Sequence, residues 1–363
     1  MYEILLSFIT AFIPSYFIIP SVINVARVKK LYDLPDDRRS HTIPTPALGG
    51  VAIFAGVMFS MIFWTPKSVF PEFQHILCAF IIIFLIGVKD DIMPITAYKK
   101  LLGELMAAGI VVMKSKILIT SLYGFFGIEE IHESASIVLT IFTIIVIINS
   151  FNLIDGINGL SGSISTVIAL GLGIWFFYVA SNPMTEEPIR NKAFGMAIMA
   201  FSLSGAVIAF LKYNFTPAKI FMGDTGALLL GLICSILVIQ FIETNHLLLG
   251  KNPLAIQASP AVAIGILILP LFDTLRVFII RILRGRSPFS ADRLHIHHLL
   301  IDFGFTHMQA TGILTIVTIS FIGLVLVLQH IGTFKLLFLV IFLAAALSYM
   351  LQRTVERRKA IQQ

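Results

Sequence analysis

Charge is the scarcest thing in this 363-residue chain: Asp, Glu, Lys and Arg make up 13% of it, against 57% in the AVILMFWYC set and a mean hydropathy of +0.94. A water-facing domain carries roughly a quarter charged residues, so this composition excludes both an ordinary soluble globule and a disordered chain. Cysteine is nearly absent, and Cys78 and Cys234 lie far apart inside apolar runs. That excludes a disulfide framework and a cysteine-based zinc site. Tryptophan is scarce too, with two residues against 31 Phe, a balance suited to helices needing bulky apolar surface. No low-complexity tract and no internal repeat is visible. The first apolar run has only Glu3 before it and no small-residue cleavage site, so a retained helix is expected in place of a signal peptide. The net charge of +6 and pI near 9.3 point to loops held near anionic lipid or an anionic substrate, ahead of nucleic acid.

What the chain has in abundance is long apolar segments. Lipid cannot satisfy backbone polar groups, so a chain crosses it as helices of about 20 mostly apolar residues. Candidate spans cover residues 4–26, 47–64, 73–88, 134–154, 160–180, 193–211, 225–242, 252–272, 310–328 and 336–352. An eleventh, Leu101 to Met113, is short and contains Glu104. The basic residues argue for keeping it, because Lys and Arg accumulate on the cytoplasmic side of short loops. With eleven spans and the N-terminus outside, 19 of the 26 Lys and Arg fall inside; without the weak span the split is 14 to 12. The same topology places all ten Asp at or near the inner face and leaves only Glu in the outer loops. The expectation is an all-α polytopic integral membrane protein of about eleven transmembrane helices, its C-terminus and active site cytoplasmic. It forms a single domain over 1–363, with an Arg/His-rich cytoplasmic loop at 281–309.

Five inner-face segments hold nearly all the unusual polar residues. DLPDDRRSHTIPTPALGG, Asp33 to Gly50, is stiffened by Pro35, Pro44 and Pro46. It reads either as a juxtamembrane basic loop or as a surface on which Arg38, Arg39 and His41 face a phosphate. In GVKDDIMPITAYKK, Asp90 and Asp91 close one span and Lys99 and Lys100 open the next. Adjacent carboxylates at the edge of lipid need cations, a metal or water to stay ionised, unless they simply mark the interface. NSFNLIDGINGL sets Asn149, Asn152, Asp155 and Asn158 three residues apart, neighbours on a helix until Gly156 and Gly159 loosen it. Desolvated without partners, such groups cost about several kcal/mol, so they meet each other, water or a ligand. Oxygen donors of this kind suit a hard cation such as Mg2+ better than zinc.

The fourth segment, FMGDTGALLLG, puts Asp224 at the start of a span between Gly223 and Gly226, where it can serve as helix N-cap, metal ligand or both. In the fifth, Arg281, Arg284, Arg286 and Arg293 precede His295, His297 and His298 in SADRLHIHHLL, a density of donors suited to sugar hydroxyls and phosphate oxygens. No Cys or carboxylate completes a familiar zinc site around these histidines. Asp273 and Arg276, three apart at a span end, read as a helix-surface ion pair. His75, His132, His246, His307 and His330 are isolated and receive no role.

DLPDDRRSH with PALGG, the KDD pair, NSFNLIDGINGL, FMGDTG and HIHHLL, in this order between spans, closely resemble the polyprenyl-phosphate N-acetylhexosamine-1-phosphate transferases of glycosyltransferase family 4. Within them the chain looks like the bacterial WecA/TagO-like branch that begins O-antigen, common-antigen or teichoic-acid assembly. The MraY branch, which transfers phospho-MurNAc-pentapeptide, usually has Asp where this chain has Asn158 and a different three-histidine string at HIHH. Both departures favour a simple N-acetylhexosamine donor.

The resemblance implies transfer of N-acetylhexosamine-1-phosphate, GlcNAc-1-phosphate foremost, from a UDP-sugar to undecaprenyl or another polyprenyl phosphate. UMP is released, and Mg2+ or Mn2+ is required. It implies a bacterial inner-membrane enzyme whose partners are the UDP-N-acetylhexosamine, the polyprenyl phosphate and the bilayer, with no nucleic acid and with a homodimer left open. Position by position, Asn152 and Asp224 would be metal ligands, and Asn158 and Phe221 would hold the uracil end. Asp155 would lie close to the nucleotide, and Arg293, His295, His297 and His298 would cover the sugar. Asp90 and Asp91 would be the catalytic carboxylates beside the acceptor phosphate, with Lys99 or Lys100 as its cationic partner.

Both substrates are anionic, so charge repulsion is the first barrier. A phosphate monoester is mostly dianionic at neutral pH, its second pKa being near 6, and can attack without first losing a proton. Direct in-line attack by the lipid phosphate is therefore preferred over a route in which one aspartate becomes a covalent nucleophile. Two other classes compete: an intramembrane aspartyl protease, and a transporter or lipid flippase. The first does not need the asparagine ladder, and the second more often carries inverted repeats and midplane charges.

Overall fold

Each apolar run folds as a helix, the form that satisfies its own backbone polar groups away from water. The computed structural model describes residues 1–32, 44–66, 69–125, 127–287 and 293–362. The helices are α1 (Tyr2–Lys29), α2 (Gly49–Trp64), α3 (Phe73–Ile92), α4 (Ala97–Ser115), α5 (Glu133–Ile154), α6 (Leu160–Ser181), α7 (Glu187–Asn214), α8 (Gly223–Leu248), α9 (Ser259–Ile266), α10 (Ile268–Leu283), α11 (Ile296–Phe303), α12 (His307–Val327) and α13 (Thr333–Gln362). A short hairpin of β1 (Ser121–Phe125) and β2 (Ile128–Glu130) joins α4 to α5.

Among the described residues, α1, α5, α6, α7, α8, α12 and the Thr333–Ala360 stretch of α13 are long and apolar enough to cross a membrane. The bent pair α9–α10 makes an eighth if it is one span. The chain is thus an all-α multi-pass membrane protein. Its outer helices turn Phe17, Phe59, Phe142 and Phe338 outward, which suits lipid and not water. Helix α8 runs through the middle, apolar on every face and packed against α2, α3, α5, α6, α7 and α9.

Small residues let two helices approach the first turn of α8. A Cβ on Gly50 of α2 would lie 2.1 Å from the Gly226 backbone nitrogen, and one on Gly87 of α3 would lie 2.4 Å from Thr225 Cα. With no side chain in the way, backbones meet directly, and the polar ends of α2, α3 and α8 are brought to one place.

All eleven expected segments contain helix, including the weak one, which becomes α4. One boundary is corrected. The segment 252–272 is not a single helix: α9 begins at Ser259, and the axis bends by 76° between α9 and α10. Pro270 explains the bend, since it cannot donate to the Ile266 carbonyl and its ring would crowd that turn. Before α9, the chain from Asn252 is held by side chains instead: Asn245 receives Ile256 N–H at 2.6 Å and donates to the Ile256 carbonyl at 2.7 Å.

Candidate active site

One end of the bundle gathers the polar strings. The stretch before α2 pairs with the stretch before α8: Phe221 N–H donates to the Pro46 carbonyl, Gly49 N–H to Phe221 and Gly50 N–H to Met222, at 2.7–2.9 Å. This short ladder fixes Gly223 and Asp224 beside the C-terminal end of α3. Asp91 there accepts from the backbone N–H groups of Asp224 at 2.7 Å and Thr225 at 3.0 Å, and from the Thr225 hydroxyl at 2.5 Å. A carboxylate from another helix therefore satisfies the orphan donors at the start of α8 and complements its positive end.

The N-cap reading of Asp224 is corrected by this arrangement, because the cap is Asp91. The side chain of Asp224 is left for other contacts. Its Oδ2 takes the Lys100 ammonium at 2.7 Å and its Oδ1 accepts from Asn152 Nδ2 at 3.2 Å. Lys100 also reaches Asp90 Oδ2 at 3.3 Å, and Asp90 Oδ1 accepts from Ile95 N–H at 2.8 Å. Asp90, Lys100, Asp224 and Asn152 form one continuous polar chain drawn from three helices and the start of a fourth. Lys99 is exposed on the neighbouring position of α4.

The asparagine ladder divides. Asn149 donates to Glu104 at 2.6 Å, a carboxylate only 1% exposed in α4, so the acid that weakened this span in the sequence is the partner of the ladder's first rung. Asn152 goes to Asp224. Asp155 closes α5 and accepts from the Ser161 hydroxyl. Withdrawal from water, with the charges of Asp224 and Asp91 nearby, pushes its carboxyl up to about 8. Asn158 donates to Thr216 at 3.0 Å while its carbonyl accepts from Thr311 at 2.7 Å. Gly159 sits at φ 78°, a left-handed conformation suited to glycine, and its N–H donates to Asn214 at 2.6 Å.

These groups surround a cavity of about 560 Å3 lined by Asp90, Asp91, Asn152, Asp155, Asn158, Asn214, Phe221, Asp224, His298 and His307, among others. Of the expected site residues, Asp90, Asp91, Asn152, Asp155, Asn158, Phe221, Asp224 and His298 line it, whereas Lys99, Lys100, Arg293, His295 and His297 do not. His295 and His297 are buried, at 5% and 1% exposure, and stack against each other 5.6 Å apart, with His297 packed onto Gly156. Arg293 is exposed and reaches Asp302 at 3.7 Å. Only His298 of the four lines the cavity. Burial and the neighbouring Arg293 and His295 lower it to about 4, so its imidazole is neutral near pH 7. Missed from the sequence were His307, which had no motif around it, and Asn214, Ser161 and Thr225, whose roles depend on distant chain. Arg38, Arg39, His41 and Asp292 lie outside the described residues.

The Asp224 carboxylate and the Asn152 carboxamide, in contact at 3.2 Å, carry the oxygen donors a hard cation takes, and such a cation would compete with the Lys100 ammonium for Asp224 Oδ2. Among the described residues no three His, Cys, Asp or Glu side chains form a metal-holding group. A cation held by these two side chains would need further oxygen ligands from outside the protein, such as phosphate or water.

Residues 73–242 match the model of glycosyl transferase family 4. The undecaprenyl-phosphate α-N-acetylglucosaminyl 1-phosphate transferase of Escherichia coli K12 is 31% identical over 338 residues, 90% of this chain and 84% of that protein. The Salmonella typhi protein of the same name is 29% identical, over 79% of this chain and 73% of the relative. The decaprenyl-phosphate N-acetylglucosaminephosphotransferase of Mycobacterium tuberculosis is 29% identical, over 86% and 79%.

Proposed function

The chain belongs to glycosyl transferase family 4, and we propose that it transfers GlcNAc-1-phosphate from UDP-GlcNAc to undecaprenyl or another polyprenyl phosphate, releasing UMP and starting a lipid-linked glycan. The observation that carries this reading is the single cavity in which Asp90, Asp91, Asn152, Asp155, Asn158 and Asp224 meet at the edge of an apolar bundle. A soluble sugar nucleotide and a membrane-held phosphate must come together at such a boundary. We place it at the cytoplasmic face of a bacterial inner membrane, with the N-terminus outside and eleven crossings in which α2, α3 and α4 each count.

A divalent ion, Mg2+ or Mn2+, at Asp224 and Asn152 would offset the diphosphate's charge and stabilise the leaving UMP oxygen. The chain's own residues do the rest. Asn158 and Phe221 hold the uracil end, Asp155 lies beside the nucleotide, and His298, neutral, offers both a donor and an acceptor to sugar hydroxyls. Lys100, held between Asp224 at 2.7 Å and Asp90 at 3.3 Å, is the cation for the acceptor phosphate. The lipid phosphate, dianionic near pH 7, attacks in line without a strong base. Asp91 serves by holding the first turn of α8, and with it Asp224, in register.

The test is release of UMP from a panel of UDP-N-acetylhexosamines with undecaprenyl phosphate in detergent. GlcNAc is expected as the preferred sugar. Asp224→Asn is expected to lower turnover at least a hundredfold and to blunt its response to Mg2+, while the protein still inserts and purifies. Near-normal rates in that variant remove Asp224 from the metal site.

A further inference from the structure

Asp273 and Arg276 do not pair as a surface couple on α10. Both reach across to the segment that carries the histidines. Asp273, 1% exposed, accepts from His295 Nδ1 at 2.9 Å through one oxygen and from Ile296 N–H at 2.9 Å through the other, so it caps α11 from a different helix. Arg276, one turn on, donates to the Leu294 carbonyl at 2.7 Å and to Gln352 of α13 at 2.8 Å. Three successive residues, Leu294, His295 and Ile296, are therefore gripped by two side chains of α10.

The grip is transmitted. His295 stacks on His297 with rings 11° from parallel, and His297 lies 4.2 Å from His298, which faces the cavity. In the last turn of α11, Asp302 pairs with Lys359 of α13 at 2.7 Å. The cavity wall formed by His298 is thus set by contacts outside the cavity. Burying a carboxylate such as Asp273 is costly unless its oxygens are satisfied, and both are spent on this one segment.

We propose that Asp273 and Arg276 are positioning residues for donor binding: a clasp that holds the histidine segment over the sugar end of the cavity while leaving the acceptor side untouched. This rests on the transferase reading above. The clasp acts on the wall at His298 of α11, whereas Asp90 and Lys100 come from α3 and α4 and, among the described residues, make no contact with it, so its loss weakens donor binding selectively.

The experiment compares wild type with Asp273→Ala, Asp273→Asn, Arg276→Ala and Arg276→Lys. It measures KM for UDP-GlcNAc and for undecaprenyl phosphate separately, binding of UDP-GlcNAc without acceptor by calorimetry, and Tm in detergent. Asp273→Ala is expected to raise donor KM and Kd at least tenfold with acceptor KM within twofold. Asp273→Asn, which keeps an oxygen for Ile296 N–H, and Arg276→Lys are expected to recover part of the loss. Should the alanine variants fail to fold, Asp273→Asn and Arg276→Lys carry the same donor-against-acceptor comparison. Equal rises in both KM values, or donor binding like wild type, overturn the clasp. A wild-type chain that neither binds nor turns over UDP-GlcNAc overturns the functional reading and this one with it.

Discussion

Asp90 and Asp91 are chain neighbours, yet the structure gives them different work. Asp91 spends both oxygens on the N-terminus of α8, and Asp90 faces Lys100. Removing a helix cap costs about 0.5–2 kcal/mol, more when buried donors are left unpaired. Asp91→Ala should therefore lower thermal stability in detergent clearly more than Asp90→Ala, by about 1–2 kcal/mol. The same Tm for both variants contradicts the division of roles. His298 bears on pH. Its lowered pKa means the ring loses its proton well below neutrality, so no imidazolium contact is lost as pH rises from 5.5 to 7. His298 should therefore contribute no change in donor KM over that interval, and a rise centred near 6.5 that is lost in His298→Ala would contradict it.

At the scale of elements, the helices meet through exchanged polar contacts. Glu104 of α4 and Asn149 of α5 lock two helices beside the site. Glu104→Gln preserves an acceptor oxygen for Asn149 and should unfold near the wild-type temperature. Glu104→Leu leaves the half-buried Asn149 amide with only its bond to Ile145 and should cost about 1–3 kcal/mol. Calorimetric unfolding of the two variants decides it. The ladder's spacing of three was legible because a helix places such residues side by side. Its partners were not, because Glu104 lies 45 residues away and Asp224 lies 72 away. Helix α10 shows the same limit: an Asp and an Arg three apart have the spacing of an ion pair, and only the returning chain at 294–296 draws them elsewhere.

For the whole molecule, α4 decides everything after it, since removing one crossing inverts every later loop. With eleven crossings, a cysteine at Lys116→Cys should react with an impermeant maleimide from outside the cell, and one at Lys219→Cys only after the membrane is opened. The background is Cys78→Ala, because Cys78 is exposed while Cys234 is buried. Labelling of Lys219→Cys in intact cells contradicts this orientation.

The sequence alone determined that the chain is helical and lives in lipid, where its helices fall, and which short strings are unusually polar for their place, because hydropathy and charge are properties of contiguous residues. The one misplaced boundary, at 252–272, arose where Pro253, Pro260 and Pro270 interrupt a run that hydropathy reads as continuous. Only the tertiary structure decided which oxygen meets which donor: that Asp91 caps α8, that Lys100 rather than Lys99 reaches Asp224, and that His298 rather than its neighbours faces the cavity. Those outcomes depend on how closely Gly50 and Gly87 let separate helices approach, a distance between parts of the chain far apart in sequence.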